Sequence, residues 1–204
     1  MIKLYRYPLS GNAHRAELLL SLLGLKHSLI DVDLINGEQK SETFLQLNPF
    51  GQVPVLDDDG FILYESNAIL VYLAKKYDNG HWLPTDAEHA ALVQQWLSIA
   101  TSRIANGPAT ARLITLFGAN HNAEEIIQRS TDLLQVMNQH LNNRTFLVGD
   151  GPTIADVAAY TYIAHAPEGN VSLTPYANIV AWLKRVESLK GFVGMQKSKV
   201  GLAA

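Results

Sequence analysis

The stretch "LNPFGQVPVLDDDGFILYESNAILVYLAKKY" occupies positions 47–77 and mixes two hydrophobic periods. Val53–Leu56 and Phe61–Tyr64 have strand character, and the acidic turn Asp57-Asp58-Asp59-Gly60 between them predicts an antiparallel hairpin. Ile69, Leu70, Leu73 and Tyr77 then recur at helical spacing, which predicts a helix over Ser66–Tyr77. Pro54 donates no ladder bond, so it is tolerated at the start of a strand. A trans edge proline satisfies that requirement. A cis Val53-Pro54 peptide would also turn the N–H and C=O of Val53 outward.

Toward the N-terminus, Ile2, Leu4 and Tyr5 begin a short strand. Ala13–Leu23 is helical and stops at Gly24, and Ser28–Leu34 alternates like a strand. Residues 1–77 therefore run β-α-β, a connecting segment, then β-β-α. Toward the C-terminus, "DNGHWLPTD" at 78–86 is a linker rich in turn formers. Everything in 87–204 that shows a period is helical: Ala87–Ile104, Thr110–Phe117, Ala123–Leu141, Ile154–Ala164 and Ile179–Leu189. Gly107-Pro108 is expected to bend or interrupt the first pair. Thr153 and Asp156 in "GPTIADVAAY" have the spacing of a capping-box variant, with a role in folding rather than chemistry. The organisation is a mixed α and β domain (1–77), a linker (78–86) and an all-helical domain (87–204).

The 204 residues are 48% hydrophobic, which suits one large domain or two small ones with proper cores. The net charge of -3 carries no nucleic-acid footprint. No apolar run approaches the roughly 20 residues of a membrane span. "MIKLYRYP" reads as a strand rather than a signal peptide, so a cytoplasmic location is expected. The chain has no cysteine, which excludes disulfides, thiolate metal sites and a protein thiol nucleophile. Any sulfur chemistry must use a bound thiol. Histidines such as His81, His89 and His140 lack paired ligand spacing, and no metal is expected.

Four small groups could carry chemistry. Ser10-Gly11-Asn12 opens the first helix, where unpaired N–H groups and the dipole favour an anion; plain N-capping is the commoner role for such residues. Glu65-Ser66 opens the helix after the hairpin. Ser66 reads as its cap, the helix start suits a carboxylate, and Glu65 suits an ammonium group. Lys40, beside Gln39, could neutralise a carboxylate or be a solvated surface lysine. Gln52-Val53-Pro54 offers backbone polar groups to an extended peptide. Together they fit a small peptide with two carboxylates, an amine and a thiol.

"YPLSGNAHR", "NGEQKS", "LNPFGQVPVL", "YESNAILVYLAKKY" and "FLVGDGPTIADVAAY" resemble the cytosolic glutathione S-transferases, of a bacterial type near the serine-using theta and phi classes. The resemblance covers essentially the whole chain. It implies an α+β thioredoxin-like N-terminal domain followed by an all-α C-terminal domain. Glutathione is then the co-substrate and a small hydrophobic electrophile the other substrate. The resemblance assigns thiol activation to Ser10, with Asn12 assisting and Tyr5 or Tyr7 as substitutes. It assigns the glycine carboxylate to Gln39 and Lys40, the polar ends of the peptide to Gln52, the cysteinyl backbone to Val53 before a cis Pro54, and the γ-glutamyl group to Glu65 and Ser66. The electrophile would lie against Leu9 and the Ile104–Arg112 region. Phe50 resembles an aromatic key inserted between helices of a second subunit, which implies a homodimer. Two functions stay open: a transferase with peroxide as a further electrophile, or a non-catalytic glutathione-binding or protein-interaction homologue.

Overall fold

A computed structural model describes residues 1–204 and divides into two compact units, 1–80 with 190–196 and 81–189 with 197–204. No helix is long and apolar enough to cross a membrane.

The first unit is built on a four-stranded sheet of order β2-β1-β3-β4. Its strands are β1 (Ile2–Arg6), β2 (His27–Asp31), β3 (Val55–Asp58) and β4 (Phe61–Tyr64). β1 runs parallel to β2 and antiparallel to β3, which forms a hairpin with β4. The helices are α1 (Gly11–Leu22), α2 (Glu42–Leu47) and α3 (Ser66–Tyr77), and a 3-10 turn covers Glu38–Lys40. Strand periodicity separates the two faces. Leu4 and Leu56, opposite each other in register, are fully buried. Tyr5 and Val55, the next pair, point the other way into a cluster with Val32 and Phe44.

The hairpin differs from the expectation in its bounds. Pairing begins at Val55 rather than Val53, and Asp57 and Asp58 belong to the strand. Only Asp59 and Gly60 form the turn, both at positive φ (52° and 94°), which is the Asp-Gly two-residue solution that matches strand twist. Asp58 is therefore a buried strand residue. Its Oδ2 accepts from Tyr72 Oη, Lys76 Nζ and Tyr77 Oη at 2.6–2.7 Å. Burial pushes this carboxyl up, but the three donors outweigh it and hold it below its usual range. The cluster ties the C-terminal half of α3 to the end of β3.

Residues 190–196 return to this unit. Gly191 O accepts from Ser21 Oγ at 2.6 Å, and Val193 O lies 2.9 Å from His14 Nε2. The helical period ends at Leu189, but nothing in the sequence assigns the segment after it to the first unit.

The second unit comprises α4 (Ala87–Ile99), α5 (Thr110–Phe117), α6 (Ala123–His140), α7 (Ile154–Ala164) and α8 (Ala177–Glu187). The expected interruption at Gly107-Pro108 takes the form of a change in helix type rather than a loop. A π-helical segment, Ala100–Ala109, joins α4 to α5 with Pro108 inside it. Proline lacks an N–H and clashes with the carbonyl four residues back; the wider turn relieves both, and Thr110 Oγ1 caps Ala105 O at 2.8 Å. α7 is apolar nearly all round and buried, with Ile154, Ala158, Ala159 and Ile163 at 0% exposure, as suits a central helix. The capping box forms: Thr153 Oγ1 accepts at the helix start, and Asp156 Oδ2 accepts from Thr153 N at 2.9 Å. Asp156 Oδ1 also accepts from Leu147 N and Trp182 Nε1, each at 2.9 Å.

A second buried polar group closes the other end of this unit. Glu168 accepts from Arg112 Nε at 2.5 Å and Ser198 N at 3.0 Å, and lies 2.7 Å from His165 Nδ1. Burial pushes Glu168 up, but these partners hold it below its usual range. Burial lowers His165 from its ordinary 6.5, aided by the Arg112 and Lys197 charges and opposed by Glu168. A histidine whose folded pKa is depressed contributes stability above its unfolded pKa and loses it as pH falls. Thermal melts taken as pH falls below about 6.5 should therefore show stability dropping by up to about 1.4 kcal/mol per pH unit. His165→Gln should flatten that portion of the profile. An equally steep profile in the variant would assign the acid sensitivity to another group.

Candidate functional site

Ser10 caps α1 with an extended backbone, its Oγ accepting from Ala13 N at 3.2 Å. Its own N–H donates to Tyr7 O at 2.8 Å, which closes a tight turn between β1 and the helix. The cap uses an oxygen lone pair and leaves the hydroxyl proton without an acceptor in the chain. Gly11 and Asn12 are the first two residues of α1, so their N–H groups lack intrahelical partners. The helix end thus combines donors with the positive end of the dipole.

A small cleft brings together Asn12, Asn48, Gln52, Val53, Pro54, Glu65 and Ser66. The Val53-Pro54 peptide is cis. Val53 stands just before the first paired residue, Val55, so its N–H and C=O lie outside the ladder. Ser66 differs from its expected role. It is the first residue of α3 rather than the cap, and the cap position belongs to Glu65, whose side chain makes no capping bond. Glu65 adopts φ 70°, ψ 110°, a backbone region disfavoured for a residue with a Cβ and typical of functional sites. The first N–H groups of α3 therefore remain open to an external acceptor.

Gln39 and Lys40 do not line this cleft. They sit in the 3-10 turn Glu38–Lys40, and Lys40 Nζ donates to Phe50 O at 3.0 Å. Gly51 makes that approach possible. At φ 58°, a Cβ on it would lie 2.7 Å from Gln39 O and 2.8 Å from Lys40 Nζ. The turn is thus pressed against Phe50-Gly51, beside Gln52. Gln39 Oε1 is buried without a hydrogen-bond partner, while its Nε2 donates to Leu34 O at 3.4 Å.

The remaining candidates separate clearly. Tyr5 packs edge-on to Phe44 at 6.3 Å, within the apolar cluster. Tyr7 lines a different cavity with Arg6, Pro8, His14 and Glu17. Phe50 is 62% exposed, with its ring edge 72° to Tyr64 at 5.9 Å. Ile104 and Arg112 are buried within the second unit, Arg112 in its ion pair with Glu168. These two ends of the expected electrophile region offer no surface.

Two site residues escaped the sequence reading. Asn48 is 2% exposed; its Nδ2 donates to Gln52 O at 2.8 Å and its Oδ1 accepts from Phe50 N at 3.0 Å. It shapes the loop that carries Gln52 and Val53, and a short polar side chain before a proline was its only signal. Arg15 lies beneath the start of α3, with Nη1 3.0 Å from Asn67 Oδ1 and 3.4 Å from Ser66 Oγ. A charged residue in a helix reads as solvent-facing, so periodicity could not place it inside.

The family model described as "Glutathione S-transferase, N-terminal domain" matches residues 1–75, and "Glutathione S-transferase, C-terminal domain" matches 119–190. Glutathione S-transferase 3 of Zea mays is 33% identical, covering 94% of this chain and 91% of its own. Glutathione S-transferase theta-2 of Homo sapiens is 33% identical over 82% of this chain and 73% of its own. Among solved structures, a glutathione S-transferase from Pseudomonas fluorescens superposes with a TM-score of 0.90 at 35% identity, over 96% of this chain and 99% of its own.

Proposed function

Since the chain belongs to the glutathione S-transferase family, whose members are transferases, we propose that it ionises the thiol of bound glutathione for attack on an apolar electrophile, with Ser10 as the activating donor. The observation that carries this reading is the unspent hydroxyl proton of Ser10 at the open end of α1, next in the chain to a cleft whose donors and acceptors suit a peptide. The open first turn of α3 takes the γ-glutamyl carboxylate and Glu65 takes its amine. Val53 pairs with the cysteinyl backbone, as a strand pairs with an added strand. Gln52 meets the peptide's polar ends, and Gln39 and Lys40 take the glycine carboxylate.

The chemistry follows from the donors. A free thiol has a pKa near 8.5, and a helix N-terminus lowers it. One hydroxyl donor to an anion contributes roughly 1.5–3 kcal/mol, about one to two pKa units. The thiolate forms a bond to the electrophilic carbon, and the leaving group departs with its electron pair. A hydroperoxide offers oxygen instead of carbon as the attacked atom. A cytoplasmic setting, where glutathione maintains reduced thiols, suits this co-substrate.

The test is a panel assayed with glutathione: an aryl halide, a hydroperoxide and a mixed disulfide. Turnover of any member supports the transferase reading and names its electrophile. Glutathione binding without turnover, and without a thiolate absorbance band near neutral pH, would favour a non-catalytic binding homologue.

Assembly as a homodimer belongs to the same reading. Phe50 is exposed, and the second unit carries an open cavity of about 550 Å³ in which Trp96, Ile99, Leu133, Val136 and Met137 share the lining with polar and charged side chains such as Arg103, Arg129 and Asp132. A phenyl ring from a second copy suits such a pocket, as aromatic anchors do at interfaces, and two-fold pairing is the commonest symmetry. Light scattering on Phe50→Ser should show more monomer than wild type at equal concentration. A wild-type monomer at micromolar concentration would remove the idea.

A further inference from the structure

We propose that Asn36 is a site of spontaneous covalent modification: Gly37 displaces its side-chain nitrogen, and the acid left behind loosens the turn that carries Gln39 and Lys40. The consequence rests on the glutathione reading above; the chemistry does not. The main-chain nitrogen of Gly37, having lost its proton to solvent base, attacks Cγ of Asn36. A C–N bond closes a five-membered imide, the bond to the side-chain nitrogen breaks, and that nitrogen takes up a proton and leaves as ammonia. Water then opens the imide to an aspartyl or isoaspartyl residue. The net change is amide plus water to carboxylate plus ammonium, with no oxidant or reductant. A following glycine favours the closure because no Cβ obstructs the ring.

The chain contains three Asn-Gly steps, at Asn36, Asn79 and Asn106, and the structure ranks them. Asn106-Gly107 lies inside the π-helical segment, with Gly107 buried against Ser130. Helical backbone holds its main-chain nitrogen away from the side chain. Gly80 N donates to Asp78 Oδ2 at 3.0 Å, and a carboxylate on that proton opposes its removal. Asn36 is exposed in a turn, and its successor Gly37 N donates to the neutral carbonyl of Leu34 at 3.3 Å, a longer bond than that of Gly80 N and one to an uncharged acceptor. Gly37 N is thus held more weakly than Gly80 N and, unlike Gly107 N, lies outside a helix.

The effect on the turn follows from who holds Asn36. Its Nδ2 donates to Asp33 Oδ2 at 2.5 Å and its backbone N to Asp33 Oδ1 at 3.1 Å. These donors hold the Asp33 carboxyl below its usual range. Glu38 Oε2 accepts from Asp33 N at 2.6 Å, so a second acid is already on the turn. Modification replaces the Asn36 donor with a third carboxylate facing Asp33, and attraction becomes repulsion. The isoaspartyl form also lengthens the main chain by one carbon. Glu38 N donates to Asp33 O at 3.0 Å and Gln39 Nε2 to Leu34 O at 3.4 Å, so a disturbed turn is passed directly to the residues proposed to hold the glycine carboxylate.

The experiment ages the intact protein in mildly alkaline buffer and follows it by peptide mapping that separates asparagine, aspartate and isoaspartate, alongside glutathione titration. The Asn36 peptide should convert ahead of the Asn79 and Asn106 peptides. Glutathione affinity should fall about three- to tenfold as it converts, the scale of one lost contact. Fresh Asn36→Asp should show part of that loss. Asn36→Gln, whose longer side chain closes the ring poorly, should retain affinity on ageing. Faster conversion at Asn79, or full conversion at Asn36 with unchanged affinity, would overturn the proposal. Fresh wild type that fails to bind glutathione would instead remove the functional reading above and its affinity consequence, while the peptide map still decides the chemistry.

Discussion

Ser10→Ala is expected to lower conjugation near neutral pH by roughly ten- to a hundredfold, the equivalent of losing about 1.5–3 kcal/mol of thiolate stabilisation. Glutathione affinity should change little, because Lys40, Gln52, Val53, Glu65 and Ser66 remain. The loss should shrink as pH rises, since the free thiol ionises without help near pH 8.5. A residue that only caps the helix behaves differently: its removal costs about 1 kcal/mol of stability and leaves the pH profile in place. The cap is in place, with the Ser10 oxygen accepting from Ala13 N, and thiol activation is the role proposed for its hydroxyl proton. The measurement is the pH dependence of conjugation for Ser10→Ala and Asn12→Ala. Full neutral-pH activity in the first and not the second would move the role to Asn12. Full activity in both would move it to Tyr5 or Tyr7.

Asp156→Ala is expected to produce the largest change in stability. Three N–H donors, from Leu147, Thr153 and Trp182, converge on this carboxylate at 2.9 Å, and the residue is 1% exposed. Burial pushes its carboxyl up, while the Leu147 and Thr153 N–H groups and the Trp182 indole pull the other way. Alanine leaves all three donors buried without an acceptor. Each such group costs about 1–3 kcal/mol, so a loss of roughly 3–5 kcal/mol is expected, comparable to breaking a buried charged network. For a chain of this size that lowers Tm by roughly 6–20 °C. Glutathione affinity, measured well below the transition, should stay near the wild-type value. Unchanged melting with lost binding would assign Asp156 a part in the site instead.

The legible parts of this fold were those written in period and turn chemistry. α3 was visible because Ile69, Leu70 and Leu73 recur on one stripe and are all fully buried. α7 was visible from its capping spacing as well as its apolar run. The hairpin was legible in kind but not in bounds, since three consecutive aspartates look like a turn. Two of them are held in the strand by partners distant in sequence, Lys3 for Asp57 and the α3 donors for Asp58. The interruption at Pro108 was legible, but its π-helical form was not. Local propensity says break, while the packing of Gly107 against Ser130 and the Thr110 cap allow a wider turn. In the candidate site, the residue types at Ser10, Glu65 and Val53 pointed to a peptide with a thiol. Which of Glu65 and Ser66 caps α3 was not legible, because it depends on a positive φ that glutamate rarely adopts. Arg15 and Asn48 were not legible at all, since both are polar groups buried by neighbours from other elements.

The hydrogen bond from Lys40 Nζ to the carbonyl of Phe50 sets one ammonium between two tasks. On one side lies the carboxylate proposed to bind it; on the other lies the main chain of the ring proposed to enter a second copy. Withdrawing the proton donor toward a ligand changes how firmly Phe50 is held, and seating Phe50 changes what the ammonium has left to give. Such a shared group obeys reciprocity: whatever factor association of two copies applies to ligand affinity, the ligand applies to association. Under the two proposals, a dissociation constant taken at one protein concentration is a point on a coupled surface rather than a constant of the chain.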